Sequence, residues 1–433
     1  MLVTSNNTHE MGSYRQRIVD GELDALLTGL SAVSLEGPKG IGKTATALQR
    51  AGTVHRLGHE GQRQVLQADP SRLIQGSEPI LIDEWQRMPS SWDVVRRAVD
   101  DNPSPARFLL TGSAEPAGAQ THTGAGRIVP VRMRPLSVSE RGMATSVSLA
   151  DLLTGTRPTV TGSTAVGLDD YVTAILTGGF PAIRALPPRA LRAQLDGYLS
   201  RVIDREFPEQ GIVLRRPDTL RAWMRAYAAA TATTATFETI RDAATPGVGN
   251  KPAWTTTLPW RDILTRLWLL DPVQAWLPTN NKLNELAAAD KHHLADPALA
   301  ARLLNMTAGK LLSGGDVTPC IPRDGTLLGA LFESLVALNL RVYAQAAQAE
   351  VRHLRTQRGE HEIDFIVTSD DGGVVGLEVK LSAVVNDGDV QHLKWLRGLI
   401  GDQLLDAVLI NTGSQAYRRP DGIAVIPAAL LGP

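Results

Sequence analysis

The sequence predicts an α/β chain of several domains, and three observations predict it. A glycine-rich turn containing a lysine lies in SAVSLEGPKGIGKT, residues 31–44, directly after a strand-like run. Two more apolar runs, PILIDEW at 79–85 and RFLLTGS at 107–113, end in acids and hydroxyls. Far downstream, HEIDFIVTSDDGGVVGLEVK at 361–380 reads as a β-hairpin with acids on both strands. A length of 433 residues is too great for one ordinary core and suggests about three domains. With 43% hydrophobic and 21% charged residues, the composition excludes a largely disordered chain. The polar start and the lack of any run of about 18 apolar residues predict a cytoplasmic protein with no membrane association. Cys320 is the single cysteine, which excludes an internal disulfide or a cysteine-based zinc site and suggests a small core residue. A net charge of -1 excludes nothing, because a nucleic-acid binder needs only a local basic face.

The first element is a nucleotide site. Gly37, then Pro38, Lys39, Gly40 and Ile41, then Gly42, Lys43 and Thr44 make the P-loop pattern, and Ala45 continues into a helix. Glycines let backbone N–H groups curl around phosphate oxygens, Lys43 reaches the terminal phosphates, and the Thr44 hydroxyl is a magnesium ligand. Val33 and Leu35 supply the preceding strand, and the helix ATALQRA presents an N-terminus that favours anions. ATP and Mg2+ are therefore the expected ligands. The second run places Asp83 and Glu84 at the carboxyl end of a buried parallel strand, where ligands bind. Asp83 is expected to hold magnesium through water and Glu84 to polarise the attacking water; two ordinary surface acids are the bland alternative. The third run ends in Thr111 and Ser113. Arg127, in GAGRIVPVRM, is a candidate arginine finger acting on a neighbouring subunit of a homo-oligomer, with Arg87 and Arg97 as competitors and a plain surface role equally open.

The order of these elements resembles the AAA-type P-loop ATPases, and in that resemblance Thr111 and Ser113 are sensors beside the γ-phosphate. More narrowly, YRQRIVD, GPKGIGKT, LIDEWQRMP, LLTGS, GRIVPVRMRPLSVSE and GGFPAI resemble a bacterial and archaeal family of such ATPases. Its members carry a C-terminal domain of unknown function with a restriction-endonuclease-like core. The resemblance runs from Tyr14 to Lys380 and is weakest over 142–165 and at the C-terminal end. Lys39 stands where many members have arginine, which keeps the charge.

The expected boundaries are an ATPase core at 1–141, a linker and helical lid at 142–214, a winged-helix-like module at 215–290 and a nuclease-like domain at 291–433. Nine arginines between Arg184 and Arg225 make either a solvated helical face or a phosphate-contacting surface. In the module, Trp260, Ile263, Leu264 and Leu267 recur on one face of a third helix whose first turn suits Pro259. Only Arg261 and Arg266 are basic on that helix, which favours a protein-contacting or backbone-contacting role over base reading. His292 and His293 are adjacent and so point apart; capping or packing beside Asp296 is expected, not chelation.

The last element is the hairpin and the helix before it. Residues two apart on a strand share a face, so Glu362 pairs with Asp364 and Glu378 with Lys380, while Leu377 and Val379 turn to the core. Upstream, GALFESLVALNLRVY carries Leu331, Leu335, Leu338 and Val342 as a helical stripe and includes Glu333; a further helix starts near Gln391. This order resembles the PD-(D/E)xK nuclease superfamily. The resemblance implies Glu333, Asp364 and Glu378 as ligands for Mg2+ or Mn2+ and Lys380 as the residue that orients the attacking water. His361, Arg355 and Arg358 then contact phosphates, or are ordinary hairpin surface. Two functions follow. In one, an ATP-hydrolysing switch or motor acts on DNA or another nucleic acid through its winged-helix and nuclease-like parts. In the other, a regulatory ATPase uses a non-catalytic C-terminal domain to bind a protein partner or DNA. A metabolic P-loop kinase is disfavoured.

Overall fold

A computed structural model of the chain describes residues 14–113, 124–245, 251–278, 288–314, 321, 325–356 and 359–433. Cys320 and Arg358 lie outside the described residues.

Five short strands form the first sheet: β1 (Ala32–Glu36), β2 (Thr53–Arg56), β3 (Ile80–Asp83), β4 (Phe108–Thr111) and β5 (Val129–Arg132). All pair in parallel, in the order β2-β3-β4-β1-β5. The continuous apolar runs explain why: β3 and β4 are buried along their whole length, as parallel strands covered on both faces must be. β4 lies between the glycine-loop strand and the acid strand. Its register sets Thr111 opposite both Leu35 and Asp83, so three functional strand ends share one edge.

Downstream helices include Leu168–Thr177, Pro188–Arg201, Pro217–Ala229, Phe237–Ala243 and Trp254–Arg266. Trp260, Ile263, Leu264 and Leu267 are all buried, as their spacing predicts. Pro259 is not in the first turn, however: the helix opens at Trp254, so Pro259 sits inside it and the Thr255 carbonyl loses its i+4 donor. The Thr-rich first turn has low helix propensity, which hid the true start. After this helix, bridges Leu270↔Leu294 and Val273↔Lys291 join two chain segments into a β-arm, and Ala275↔His353 fastens the arm to the next sheet.

That sheet is mixed and seven-stranded. The first part of 142–214, expected as linker and helical lid, contributes β6 (Val147–Ser148) and β7 (Gly162–Ser163), two strands too short to show any period. The later strands are β8 (Ala349–Arg355), β9 (Glu362–Ser369), β10 (Val374–Val379), β11 (Leu404–Asn411), β12 (Gln415–Arg418), β13 (Ala424–Pro427) and β14 (Leu431–Gly432). The order is β7-β12-β13-β11-β10-β9-β8, and β6 pairs separately with β14. β9 and β10 are the predicted hairpin, antiparallel with Val374 opposite Thr368. The helix Leu327–Ala346 is long and apolar enough to cross a membrane by length and composition, but it is mostly buried and packs as the core helix behind β8 and β9.

Candidate functional site

The phosphate end of the first sheet is built on strained glycines and one folded lysine. Gly37 has φ +146, and a Cβ there would lie 2.2 Å from the Met133 carbonyl oxygen, so only glycine fits between the loop and β5. Gly40 and Gly42 also adopt positive φ, Ile41 is fully buried, and Phe180 of the GGFPAI segment stands over Gly40. Lys43 Nζ donates to the carbonyls of Gly37 and Pro38, each at 2.7 Å. Burial lowers its pKa to about 8, a shift that Glu84 partly opposes.

The strand order brings the remaining expected groups together. Thr44 Oγ1 donates to Asp83 Oδ1 at 2.6 Å, and Thr111 Oγ1 donates to the same oxygen at 2.7 Å. The Glu84 backbone N–H donates to Thr111 Oγ1 at 3.2 Å, with Glu84 itself in the left-handed region at φ 59. Gln86 Nε2 donates to Glu84 Oε2 at 2.6 Å and to Ser113 Oγ at 3.3 Å. Gln86 was not singled out from the sequence; its place two residues after the acids was the available signal. Arg17 was also missed. Its buried guanidinium donates to the Ile41 carbonyl at 2.9 Å and pairs with Glu140 at 2.8 Å, tying the segment before the first helix to the glycine loop. Lys39 pairs with Glu206 at 2.6 Å. Ala45 lies in the helix Lys43–Leu48.

Of the arginine candidates, Arg87 shares Glu209 with Lys39 of the glycine loop and so lies at this end of the sheet, whereas Arg127 does not. Arg127 pairs with Asp100 at 2.7 Å, just before β5 begins and so at the opposite end of the sheet from the glycine loop. Arg87 contacts Glu209 at 3.4 Å, and Arg97 donates to the Asp93 carbonyl.

The C-terminal sheet gathers a second set of charges. Glu333 comes from the long helix, Glu362 and Asp364 from one face of β9, and Glu378 from the end of β10. Into them projects Lys291, carried by the β-arm. Its Nζ lies 3.0 Å from Glu333 Oε1, 2.9 Å from Glu362 Oε1 and 3.1 Å from Asp364 Oδ1, and its side chain is only 1% exposed. Asp364 Oδ2 accepts the Val379 N–H at 2.9 Å. Lys380 stands 3.5 Å from Glu378 Oε2, while Glu378 Oε1 is buried with no hydrogen-bond partner among the described residues.

The titrations divide these acids. Burial and then Asp364 push Glu333 up to about 8, and the same two causes push Glu378 well up. Burial also acts on Asp364, but Lys291 and Lys380 outweigh it and hold the carboxyl low. Lys291 stays charged: its three acids more than offset burial. Among the described residues no group of three or more His, Cys, Asp or Glu is arranged to hold a metal ion. The implied divalent ion therefore does not fit this arrangement, because an ammonium stands where Glu333, Glu362 and Asp364 converge. Arg355 pairs with Glu362 at 3.0 Å, and His361 stacks on Trp395 at 4.0 Å.

Both neighbours of Lys291 in the KHH run are packing residues. His292 Nε2 donates to the Ala235 carbonyl at 2.7 Å and the ring lies edge-on to Tyr227 and Phe237; burial lowers its pKa to about 4. His293 is buried beside Phe365. Asp296 caps the helix Pro297–Leu303 through the Ala298 N–H and also accepts the Gly179 N–H at 2.6 Å.

One buried acid joins the two sites. Asp271, on the first leg of the arm, meets Arg132, the last residue of β5, at 3.0 Å and Arg134, two residues beyond it, at 3.1 Å, and also Arg341 of the long helix. Burial would raise its carboxyl, but Arg341, Arg132 and Arg134 hold it far below the usual range. A cavity of about 670 Å³ opens beside it, with Arg132 stacked over Trp268 at 4.6 Å.

Comparison with known proteins places these regions. Residues 30–142 match the family model of an AAA domain. The front of the chain is thus a P-loop ATPase domain of AAA type. Residues 168–310 and 328–431 match two domains of unknown function, DUF8612 and DUF4143. Two uncharacterized proteins, Mb2031c of Mycobacterium bovis and Rv2008c of Mycobacterium tuberculosis, are each 26% identical over 405 residues, which is 92% of this chain and 80% of theirs. Among solved structures, the Walker-type ATPase PABY2304 of Pyrococcus abyssi aligns at 14% identity and a TM-score of 0.35, over 66% of this chain and 94% of that one. The Aeropyrum pernix ORC2 protein aligns at 15% identity and a TM-score of 0.31, over 69% of this chain and 94% of that one. Both structural likenesses are too slight to bear on function.

Proposed function

We propose that this chain is an ATP-hydrolysing switch that works on nucleic acid, with a C-terminal domain that resembles PD-(D/E)xK nucleases in design but serves binding and regulation, not cleavage. The observation that carries the ATPase half is the convergence of the Thr44 and Thr111 hydroxyls on one Asp83 oxygen, with Glu84 held beside them by Gln86. When ATP binds, Lys43 exchanges two backbone carbonyls for the terminal phosphates. Thr44 and Asp83 are the residues that would hold Mg2+, which supplies charge neutralisation at the phosphates. Glu84 accepts the proton of the attacking water, and Thr111 and Ser113 report the state of the terminal phosphate through Asp83 and Gln86.

The regulatory half rests on Lys291, whose ammonium already pairs with Glu333 and Asp364, two of the three carboxylates that a cleaving metal would need. The middle helices and arm read as a winged-helix-like module, and the exposed Arg189, Arg192, Arg201, Arg205, Arg215 and Arg216 are its neighbouring basic surface for a phosphate backbone. Cleavage remains the second reading because Glu378 and Lys380 do stand together at the end of β10.

Two assays test this. Glu84→Gln should retain ATP binding while phosphate release falls by roughly 10² or more, as loss of general-base assistance implies. Wild-type protein with ATP, Mg2+ or Mn2+ and a panel of single- and double-stranded nucleic acids should show nucleotide-dependent binding and no scission. Cut product that disappears in Lys380→Ala would establish the second reading.

A further inference from the structure

We propose that Lys291 is a built-in cation for the C-terminal carboxylates, standing where a divalent ion would otherwise gather Glu333, Glu362 and Asp364, so that lysine and metal compete for one site. The inference rests on the regulatory reading of the C-terminal domain and deepens it.

Three acceptors surround the ammonium at 2.9 to 3.1 Å, one for each of its three N–H bonds. These are charge-assisted hydrogen-bond lengths, well beyond the roughly 2.0–2.6 Å at which oxygens ligate magnesium or calcium. The acids come from a helix and a strand that would otherwise repel, and with Glu378 they number four, against Lys291, Lys380 and Arg355 as the cations in contact. Among the described residues, Glu378 Oε1, which borders this group, is buried without a hydrogen-bond partner.

The backbone that carries the lysine is fixed. Its backbone N–H donates to the Val273 carbonyl at 2.8 Å, and Val273 returns the bond at the same length. The first leg of the arm is fixed to β8, where the His353 N–H donates to the Gln274 carbonyl at 2.9 Å and Trp276 bonds back at 2.6 Å. Three residues before Gln274, Asp271 grips Arg132 and Arg134, which flank the Met133 carbonyl that rests on Gly37. Any movement of the arm would therefore move both Lys291 and Asp271, the acid paired with the arginines on either side of Met133, next to the phosphate loop. A lysine delivered by such an element is a device for keeping a carboxylate site shut, and the site it closes is a latent one for Mg2+ or Mn2+.

The test uses nucleotide-free, full-length protein and Mn2+ followed by electron paramagnetic resonance. Wild type should show no Mn2+ binding that depends on Asp364. Lys291→Met should bind one Mn2+ per chain at least about 10-fold more tightly than wild type, and adding Asp364→Asn should remove that gain. Mn2+ should also raise the melting temperature of Lys291→Met and leave that of wild type unchanged. If Lys291→Met does not fold, Lys291→Met with Glu333→Gln removes an opposing charge as well and is judged by the same criteria. Asp364-dependent Mn2+ binding by wild type would overturn the proposal, and so would a folded Lys291 variant that binds no more Mn2+ than wild type. Scission of nucleic acid by wild-type protein would sink the regulatory reading itself; metal binding by wild type without scission would sink only the role of the lysine.

Discussion

Lys43 and Lys291 are both nearly buried lysines at the heart of a charged site, yet their surroundings are opposite. Lys43 has only carbonyls to hold, at 2.7 Å, and burial pulls its pKa down to about 8. Lys291 has three carboxylates, which more than cancel burial and raise it. The first is a cation waiting for an anion; the second is a cation that has found its own. The same residue type thus makes an open ligand site in one domain and a closed one in the other, and what decides between them is whether the acids are supplied by the chain or by the ligand.

The sharpest way to break this comparison is to remove the open lysine. Lys43→Ala should weaken ATP binding by about 10² to 10⁴-fold, since two charge-assisted bonds to phosphate at about 1.5–3 kcal/mol each are lost. Titration with a fluorescent nucleotide reads the change directly. Retained affinity would mean that the glycine loop alone holds the phosphates.

The next largest effect belongs to the acid between the sites. Asp271→Ala leaves Arg132, Arg134 and Arg341 facing one another in the interior, and breaking a buried charge cluster from one side costs about 3–5 kcal/mol. A chemical denaturation series should show this loss, and the ATPase domain and the carboxylate sheet should then unfold in separate steps. A single unchanged transition would show that Asp271 does not join them.

A pH series sharpens the contrast within the closed site. Glu333 is pushed up to about 8 and Glu378 is raised as well, by burial and then by Asp364. A carboxyl with a raised folded pKa binds more protons folded than unfolded, so its contribution is complete below the unfolded value of about 4.3 and is lost as pH rises through the folded one. Stability should therefore decline between about pH 5 and 9. Asp364 is shifted the other way and contributes above its unfolded value, failing only in acid. Glu378→Gln should flatten the alkaline decline, measured as the melting temperature against pH. An equally steep decline in that variant would remove Glu378 from the account.

The open site was largely legible in the sequence and the closed one only in part. Gly37 to Thr44, Asp83, Glu84 and Thr111 each end a local pattern of strand and turn, and parallel pairing then brings them to one edge. The hairpin faces of β9 and β10 followed from alternation in the same way. Lys291 had no such pattern: its partners Glu333 and Asp364 lie 42 and 73 residues away. Asp271 was hidden for the same reason, its contact with Arg134 spanning 137 residues. β6 and β7 were read as linker because two-residue strands carry no periodicity.

The smallest expected effect tests whether the open site is complete within one chain. Arg127 pairs with Asp100 at 2.7 Å near the amino end of β5, with 43% of its side chain exposed, so it cannot reach the phosphates of its own chain without crossing the sheet. As a surface pair it is worth about 0–1 kcal/mol, and Arg127→Ala should leave the melting temperature almost unchanged. Its effect on turnover then separates the two roles. If a second chain presents Arg127 to the site, specific ATPase activity rises with protein concentration, and mixing Arg127→Ala with wild type depresses activity more than dilution alone. If specific activity is constant over a wide concentration range and the variant matches wild type, Arg127 is a surface residue and the transition-state charge is met by Lys43 and the magnesium held at Thr44 and Asp83.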